Sequence, residues 1–594
     1  MFQQTTPDGY LIFLYICLRS LWILAAVFLL RRMLHLLQLS SYQLQGYFRS
    51  LRQNFLRECL IPLLQFALFL LFSLAAAYLQ IYAMAGFVVL MVATLIHYRP
   101  RKEKKPFVVT PRIRRLIFTI IAMIALWALL TGLVHFGFDV QMLAGTGYAL
   151  APFAGWGLHL LGARVWIFVL IFAPLLTAAA SLINGPLEKR INDGFIRDAQ
   201  RILGEQPRLR IIGVTGSFGK TSVKYYLTTL LSEQYNVLMT PESYNTPMGI
   251  VRTIREQMKP THEIFVCEMG ARHVHDIREI TDFVHPDDGI LTAIGEQHLE
   301  TFHTLDNIIA TKYELLDAVE EKHPAGEALS PEGRKIVNGD DENIRAHMKY
   351  PDALTYGLKE GNDFRARDIR VTPAGTAFKV QLSERAARQL ALPVIDSTHR
   401  PSSGGEVSAK GEGDISSAGI EFTTSLVGAH NVQNIMGAIA LATLYGVPAS
   451  KLRRAVRRIE GVPHRLELKR HGNVTILDDA YNANPAGAKT ALETLGYFRD
   501  QTKILVTPGM VELGAREKEY NEAFGAQAAE VCDYIILVGE KRTAPIAEGI
   551  RGKGFDEARL FIKKTFDEAA ALMYEIDAGK EKVILLENDL PDNY

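Results

Sequence analysis

Residues 211–222 read Ile-Ile-Gly-Val-Thr-Gly-Ser-Phe-Gly-Lys-Thr-Ser. An apolar, β-branched run ends in a glycine-rich turn, and Gly219-Lys220-Thr221 opens a helical pattern from Val223 to Leu231. Those residue types in that order bind phosphate. Backbone N–H groups around Gly216 and Gly219 and at the helix N-terminus face anionic oxygens, Lys220 reaches the outer phosphates, Thr221 and Ser222 sit against the nucleotide, and the Thr221 hydroxyl helps hold Mg²⁺. The spacing departs from G-x-x-x-x-G-K-[ST], which needs glycine at Val214; the earlier glycine here is Gly213. The expectation is an ATP site.

Two further groups follow the loop in chain order. Ile264-Phe-Val-Cys-Glu268 reads as a strand ending in a carboxylate, where a phosphate-bound cation is held. Gly295-Glu-Gln-His298 follows the next strand-like run; its histidine is either a metal ligand or a hydrogen-bond hub. Asn307–Val319 has helical periodicity and carries Lys312 and Glu314.

These residues need a scaffold. Leu209–Val214, Glu263–Glu268 and Gly289–Ala293 alternate with helical patterns, which predicts a mostly parallel sheet with helices on both faces. Residues 353–427 change to short alternating runs, with a Ser/Gly/Glu-rich surface loop at Asp396–Gly419. A second strand–helix series (Val474–Leu477, Lys503–Thr507, Tyr534–Val538, Leu560–Lys563, Val583–Leu586) predicts a smaller dinucleotide-fold-like domain. The four cysteines have no metal-ligand or disulfide spacing. The net charge of +1 gives no sign of a nucleic-acid partner.

The first third is different. Segments near 10–30, 60–79, 81–98, 115–136 and 164–183 are apolar and long enough for a hydrocarbon core that takes roughly 20 helical residues to cross. Lys and Arg concentrate in the 31–58 loop (Arg31, Arg32, Arg49, Arg52, Arg57) and the 99–115 loop (Arg99, Arg101, Lys102, Lys104, Lys105, Arg112, Arg114, Arg115). Five spans with both basic loops inside place the N-terminus outside and the phosphate loop in the cytoplasm, where ATP is. The Gly/Ala-rich stretch 143–160 is expected as an outer-face or re-entrant helix, and 184–205 as a polar amphipathic helix. Arg19 and Arg164 fall inside or at the ends of spans, as functional charges or by snorkelling. The expected organisation is therefore an α-helical membrane domain over 1–198, an α/β ATP-binding domain over 199–460 and a second α/β domain over 461–594.

Taken in order, Thr215-Gly216-x-x-Gly219-Lys220-Thr221, Glu268-Met-Gly, Gln297-His298-Leu-Glu and Ala310-Thr-Lys312-x-Glu314 resemble the central domain of the Mur ligases, which make amide bonds with ATP. The resemblance implies that Thr221, Glu268 and His298 hold two Mg²⁺ ions together with a carbamylated Lys312. It implies that Asn245 and Thr246, in Tyr244-Asn-Thr-Pro-Met-Gly, contact metal or substrate, and that Asn431 and Asn434, in His430-Asn-Val-Gln-Asn, contact the nucleotide. His464-Arg465-Leu-Glu resembles the start of the third domain, whose arginine reaches the phosphates, and Asp479 is expected on the ribose. Asp478-Asp-Ala-Tyr481-Asn482-Ala-Asn484-Pro resembles the signature of the member that adds D-Ala-D-Ala to a UDP-linked muramyl tripeptide, with Tyr481, Asn482 and Asn484 toward substrate.

The resemblance spans about 208–594 and has four departures. Phe218 replaces a loop asparagine, Asn521 stands for a histidine, and Glu587-Asn-Asp stands for Lys-Gly-Ser. The family's N-terminal domain for the UDP-sugar has no counterpart; the apolar segments occupy its place. The implied function is an ATP-dependent ligase at the cytoplasmic membrane, with a muramyl peptide or a related or lipid-linked carboxylate as acceptor and D-Ala-D-Ala or another amine as donor. A membrane ATPase or transporter and an inactive cell-wall scaffold are the competing readings. Few polar residues in the spans weigh against the first, and the intact Lys220, Glu268, His298, Lys312 and Asp479 against the second.

Overall fold

The computed structural model describes residues 9–55, 58–59, 64, 89, 92–99, 105–145, 151–323, 333–390, 419–480, 483–511, 513–576 and 581–589. Most of the expected spans at 60–79 and 81–98, the loop 396–418, basic residues Arg57, Arg101, Lys102 and Lys104, and Tyr481 and Asn482 lie outside the described residues, as do the side chains of Arg19 and Arg164. The chain forms two compact units, 1–193 with 590–594, and 194–589.

In the first unit, helices Gly9–Leu39, Leu44–Gln53 and Pro111–Gly145 and the first part of helix Ala151–Gly204 are described. They share a core of Leu29, Met33, Leu37, Tyr47, Ile113, Leu116 and Ala173. Arg115 donates to both oxygens of Glu188, at 2.6 and 2.9 Å, tying the last two helices together. The expected separate helix at 143–160 is not formed: residues 143–145 end one long helix and 151–160 begin the next. The 164–183 segment and the 184–205 segment are likewise one continuous helix, with Pro174 and Pro186 inside it. Among the described residues one stretch, Pro111–Leu130, is long and apolar enough to cross a membrane.

The second unit holds two sheets. The larger one contains β1 (Arg210–Thr215), β2 (Val237–Met239), β3 (Ile264–Glu268), β4 (Asp288–Leu291), β5 (Lys335–Asn338), β6 (Leu354–Gly357), β7 (Phe364–Thr372), β8 (Gly375–Leu382) and β9 (Ile420–Thr424). Its order is β2-β3-β1-β4-β5-β6-β7-β8-β9. The strands are parallel through β7, and β7-β8-β9 continue antiparallel. The alternating runs of 353–427 thus extend the same sheet instead of building another layer. Helices cover both faces of its parallel part, as near-continuous apolar strands require. One face packs Ile212, Val214 and Ile290 on Val223, Leu227 and Ile435, and the other packs Ile211, Phe265 and Leu291 on Ile250, Ile280 and Leu315.

The smaller sheet has β10 (Glu467–His471), β11 (Val474–Asp479), β12 (Thr502–Thr507), β13 (Tyr534–Val538), β14 (Leu560–Lys563) and β15 (Lys582–Glu587) in the order β10-β11-β15-β12-β13-β14. Only β10 runs antiparallel, on the edge. In both sheets the candidate site residues sit at carboxyl ends of parallel strands, where open α/β sheets leave a crevice for ligands.

Candidate active site

β1 is central, with β3 on one side and β4 on the other, and the register pairs Val214 with Glu268. That pairing puts a carboxylate beside the start of the glycine loop. The loop needs its glycines. Gly216 has φ 151°, and a Cβ there would lie 2.1 Å from Thr292 Oγ1; Gly219 has φ 81°, and a Cβ there would lie 2.7 Å from Asn434 Oδ1. No other residue type fits either position without moving a neighbour. The hydroxyl of Ser217 donates to Gly295 O at 3.0 Å and accepts from Gly295 N at 3.0 Å, sewing the loop to the segment after β4.

Lys220 opens the helix Lys220–Leu231, and its ammonium donates to Gly216 O at 2.5 Å and Ser217 O at 3.0 Å. Burial lowers its pKa to about 8, against the pull of Glu268 and with the push of Arg465. The Thr221 hydroxyl donates to Glu268 Oε1 at 3.1 Å, and the Asn245 amide donates to the same oxygen at 3.0 Å. Oε2 of Glu268 faces the Lys224 ammonium at 3.1 Å with no aligned hydrogen bond. Burial opposes this carboxylate's charge, but Lys224, Lys220 and Asn245 together hold its pKa below the ordinary value.

Lys224 is the residue that sequence reasoning missed. It is 0% exposed, on the inward face of its helix beside Val223, Tyr226 and Leu227. A lysine in a run of core positions is the available signal, because such a charge needs a buried partner.

Lys312 lies on helix Leu305–Lys322 and is buried. Burial, then the Lys220 ammonium, drives its pKa well below the usual lysine value, while Asp276, Glu314 and Glu268 pull the other way. Glu314 accepts from Arg278 N at 2.8 Å and meets His275 Nδ1 at 2.8 Å. His298 has left-handed backbone, φ 55°, at the start of the short helix Leu299–Phe302. Among the described residues no group of three or more His, Cys, Asp or Glu side chains is close enough to hold a metal ion by itself. Glu268 and His298 are therefore not a ready-made cage. The donors that fit Mg²⁺ are the hard oxygens of Glu268 and Thr221, with Oε2 of Glu268 free of hydrogen bonds.

Five residues expected near ligand, Asn431, Asn434, Thr246, Asn484 and Ser222, also have partners or neighbours inside the fold. Asn431 is buried, accepting from the Tyr226 hydroxyl at 2.9 Å and donating to Val427 O at 3.0 Å, so it fastens helix Ala429–Leu444 to helix Lys220–Leu231. Asn434, one turn on, is the residue against the loop at Gly219. Thr246 and Asn484 cap helices Pro247–Gln257 and Pro485–Leu495, accepting from Gly249 N at 3.3 Å and Gly487 N at 3.0 Å. A cap residue followed by Pro at the first helical position is a local signal that the substrate reading overlooked. The Ser222 hydroxyl faces that of Tyr226.

In the smaller domain, Arg465 is close enough to influence both Lys220 and Asp479. Asp479 accepts from Leu466 N at 3.1 Å, and burial pushes its pKa up to about 6 against the pull of Arg465. Its register partner on β15 is Glu587, which is fully buried; no backbone N–H or hydroxyl is bonded to its carboxyl. Burial and the charge of Asp479 drive the Glu587 pKa well above the ordinary value.

Residues 214–442 match the Mur ligase middle domain, and residues 464–587 match the Mur ligase glutamate ligase domain. The chain belongs to the Mur ligase family. This makes it an ATP-dependent ligase. It is 29% identical over 357 residues to the UDP-N-acetylmuramoyl-tripeptide–D-alanyl-D-alanine ligase of Bacillus subtilis, covering 59% of this chain and 67% of that one. To the enzyme of the same name from Escherichia coli it is 26% identical over 381 residues, covering 62% and 74%. The fold is similar to that of the Thermotoga maritima MurF ligase solved with ADP, at a TM-score of 0.53 and 24% identity over 67% of this chain and 80% of that one. It is also similar to that of MurF from Acinetobacter baumannii, with TM-score 0.53, 23% identity, and coverage of 68% and 78%. The two family matches lie in the α/β unit of this Mur ligase, which carries the phosphate loop and Glu268 at strand ends and Lys312 on a helix.

Proposed function

We propose that this ligase joins D-Ala-D-Ala, or a closely related amine, to the carboxylate of a muramyl peptide at the cytoplasmic face of a membrane. The supporting observation is the constellation at the end of β1: Lys220 held over the glycine loop, with Thr221, Asn245 and Lys224 all converging on the buried Glu268. The acceptor carboxylate attacks the γ-phosphorus of ATP, ADP leaves, and an acyl-phosphate forms. The amine then attacks the acyl carbon, loses a proton, and phosphate departs as the tetrahedral adduct collapses to the amide. Lys220 exchanges its two loop carbonyls for phosphate oxygens, an ammonium placed where charge develops. Arg465 supplies a second cation from the smaller domain, and Asp479 stands ready for the ribose. Glu268 and Thr221 would hold Mg²⁺, and when bound the ion neutralises charge on the transferring phosphoryl group.

We read Lys312 as the carbamylated lysine of this site. A carbamate forms only from a neutral amine, and burial beside Lys220 favours that form. Capture of CO₂ also turns a cation that would repel Mg²⁺ into an anion that attracts it.

The membrane reading rests on Pro111–Leu130, whose Phe118, Ile121, Leu126, Leu129 and Leu130 are exposed. Large apolar side chains in such a row call for lipid or a partner surface. We place the N-terminus outside and both ligase domains inside, after the basic residues near Arg31 and Arg112. Two tests apply. Full-length protein in detergent is given ATP, Mg²⁺, D-Ala-D-Ala and either UDP-linked or lipid-linked muramyl tripeptide, and the products are weighed; amide formation with neither acceptor rejects the substrate assignment. A cysteine in the 99–115 loop should be shielded from impermeant thiol reagents in intact cells and one near residue 140 labelled; the reverse rejects the topology.

A further inference from the structure

Glu296 is one residue beyond the Gly295 backbone that Ser217 of the phosphate loop grips, and two residues before His298. Its carboxylate reaches out of the central domain. Both of its oxygens accept from Arg516 Nη1, at 3.0 and 2.7 Å, and Oε2 also accepts from the Tyr520 hydroxyl. Arg516 and Tyr520 belong to the smaller domain, at the start of helix Glu517–Val531.

The guanidinium is held in place before it meets Glu296. Its Nε and Nη2 donate to Glu519 at 3.1 and 3.0 Å, and it stacks over the Tyr520 ring at 4.4 Å. One turn along the same helix, Asn521 is buried; it accepts from Met510 N at 2.9 Å and donates to Met510 O at 3.0 Å. The helix therefore connects the loop after β12 with the turn after β4. On the central side the turn is equally well tied: Ile294 N donates to Asp341 at 3.1 Å, and Asn343 donates to Ile294 O at 2.8 Å.

An ion pair this exposed adds little to stability, so it does not explain how the domains fold. Its effect is on position. Releasing Glu296 would leave the turn that carries Gly295 and His298 tied to the central domain alone, with the smaller domain no longer held against it.

Building on the ligase reading, we propose that Glu296 is a positioning residue: its clasp by Arg516 and Tyr520 holds the smaller domain docked against the turn that carries His298. The acyl-phosphate would then form mainly in a site from which the second domain excludes water.

The test uses full-length protein in detergent with spin labels at exposed Gln257 and Gln527, one in each domain. Interdomain distances are measured with ATP and Mg²⁺ for wild type, E296A, R516A and the double variant. This readout needs no knowledge of the acceptor, so it stands or falls apart from the substrate assignment. The clasp predicts that each single variant broadens the distance distribution and that the double variant adds nothing further. With acceptor and amine present, kcat for amide formation should fall roughly 10–100-fold while the KM for ATP changes less than about twofold. Unchanged distributions, or effects that add in the double variant, overturn the proposal. A parallel fall in ATP affinity and kcat, which general damage to the fold would give, overturns it as well.

Discussion

Replacing Lys224 with methionine removes one half of a pair whose side chains are 0% and 1% exposed, at nearly constant volume. Glu268 keeps its hydrogen bonds from Thr221 and Asn245 but loses the ammonium at 3.1 Å. Left charged and unpaired, a buried carboxylate costs about 3–5 kcal/mol. Protonation offers another route. It costs about 1.4 kcal/mol for each pH unit above an unfolded value of about 4.3, which is about 3.7 kcal/mol at pH 7 and about 1 kcal/mol at pH 5. In wild type the Glu268 pKa is depressed, so its contribution is present above the unfolded value and fades as pH falls. In K224M the pKa is raised instead, and stability is lost as pH rises through the window above about 4.3. About 1 kcal/mol moves the Tm of a domain this size by about 2–4 °C. Calorimetry of the full-length chain should therefore place K224M about 8–15 °C below wild type at pH 7 and only about 2–4 °C below at pH 5. An equal deficit at both pH values would refute the idea that the pair is ionised and that Lys224 acts through Glu268.

K220A should abolish amide formation, since the outer phosphates lose their cation; wild-type product yield would reject the phosphate-loop role of Lys220. K312A should be nearly inactive and partly restored by acetate or formate, and near-normal activity without either would reduce Lys312 to a packing residue. E587Q replaces one of two facing buried carboxyls with a neutral amide. Both groups have raised pKa values, so their cost grows as pH climbs from the unfolded range of about 4 through about 6. The variant should be more stable than wild type at pH 8 and equal to it near pH 4, in thermal melts of the full-length protein. A gain that does not change with pH would mean that the buried Glu587 carboxyl does not titrate above its ordinary range.

What the sequence by itself determined is what neighbouring residues encode. The phosphate loop, β13 and β14, and the helix carrying Lys312 were legible because apolar periodicity, glycine turns and strand-end polar residues act within a few positions of one another. The placement of Glu268 was legible too, since a carboxylate at the end of a strand after such a loop has few other places to go. The two Pro-led helix caps at Thr246 and Asn484 are equally local, encoded by a cap residue followed by Pro. Tertiary structure decided the rest. Strands β7, β8 and β9 join the central sheet because β6 leaves an edge that β7 can pair with in parallel, a choice that alternation alone does not reveal. Lys224 meets Glu268, Asn431 meets Tyr226, and Arg516 meets Glu296 across 44, 205 and 220 positions of chain. Pairing at such separations depends on strand order and on how the smaller domain docks. Those were settled by burial of whole faces, which fixes side-chain partners that no local pattern names.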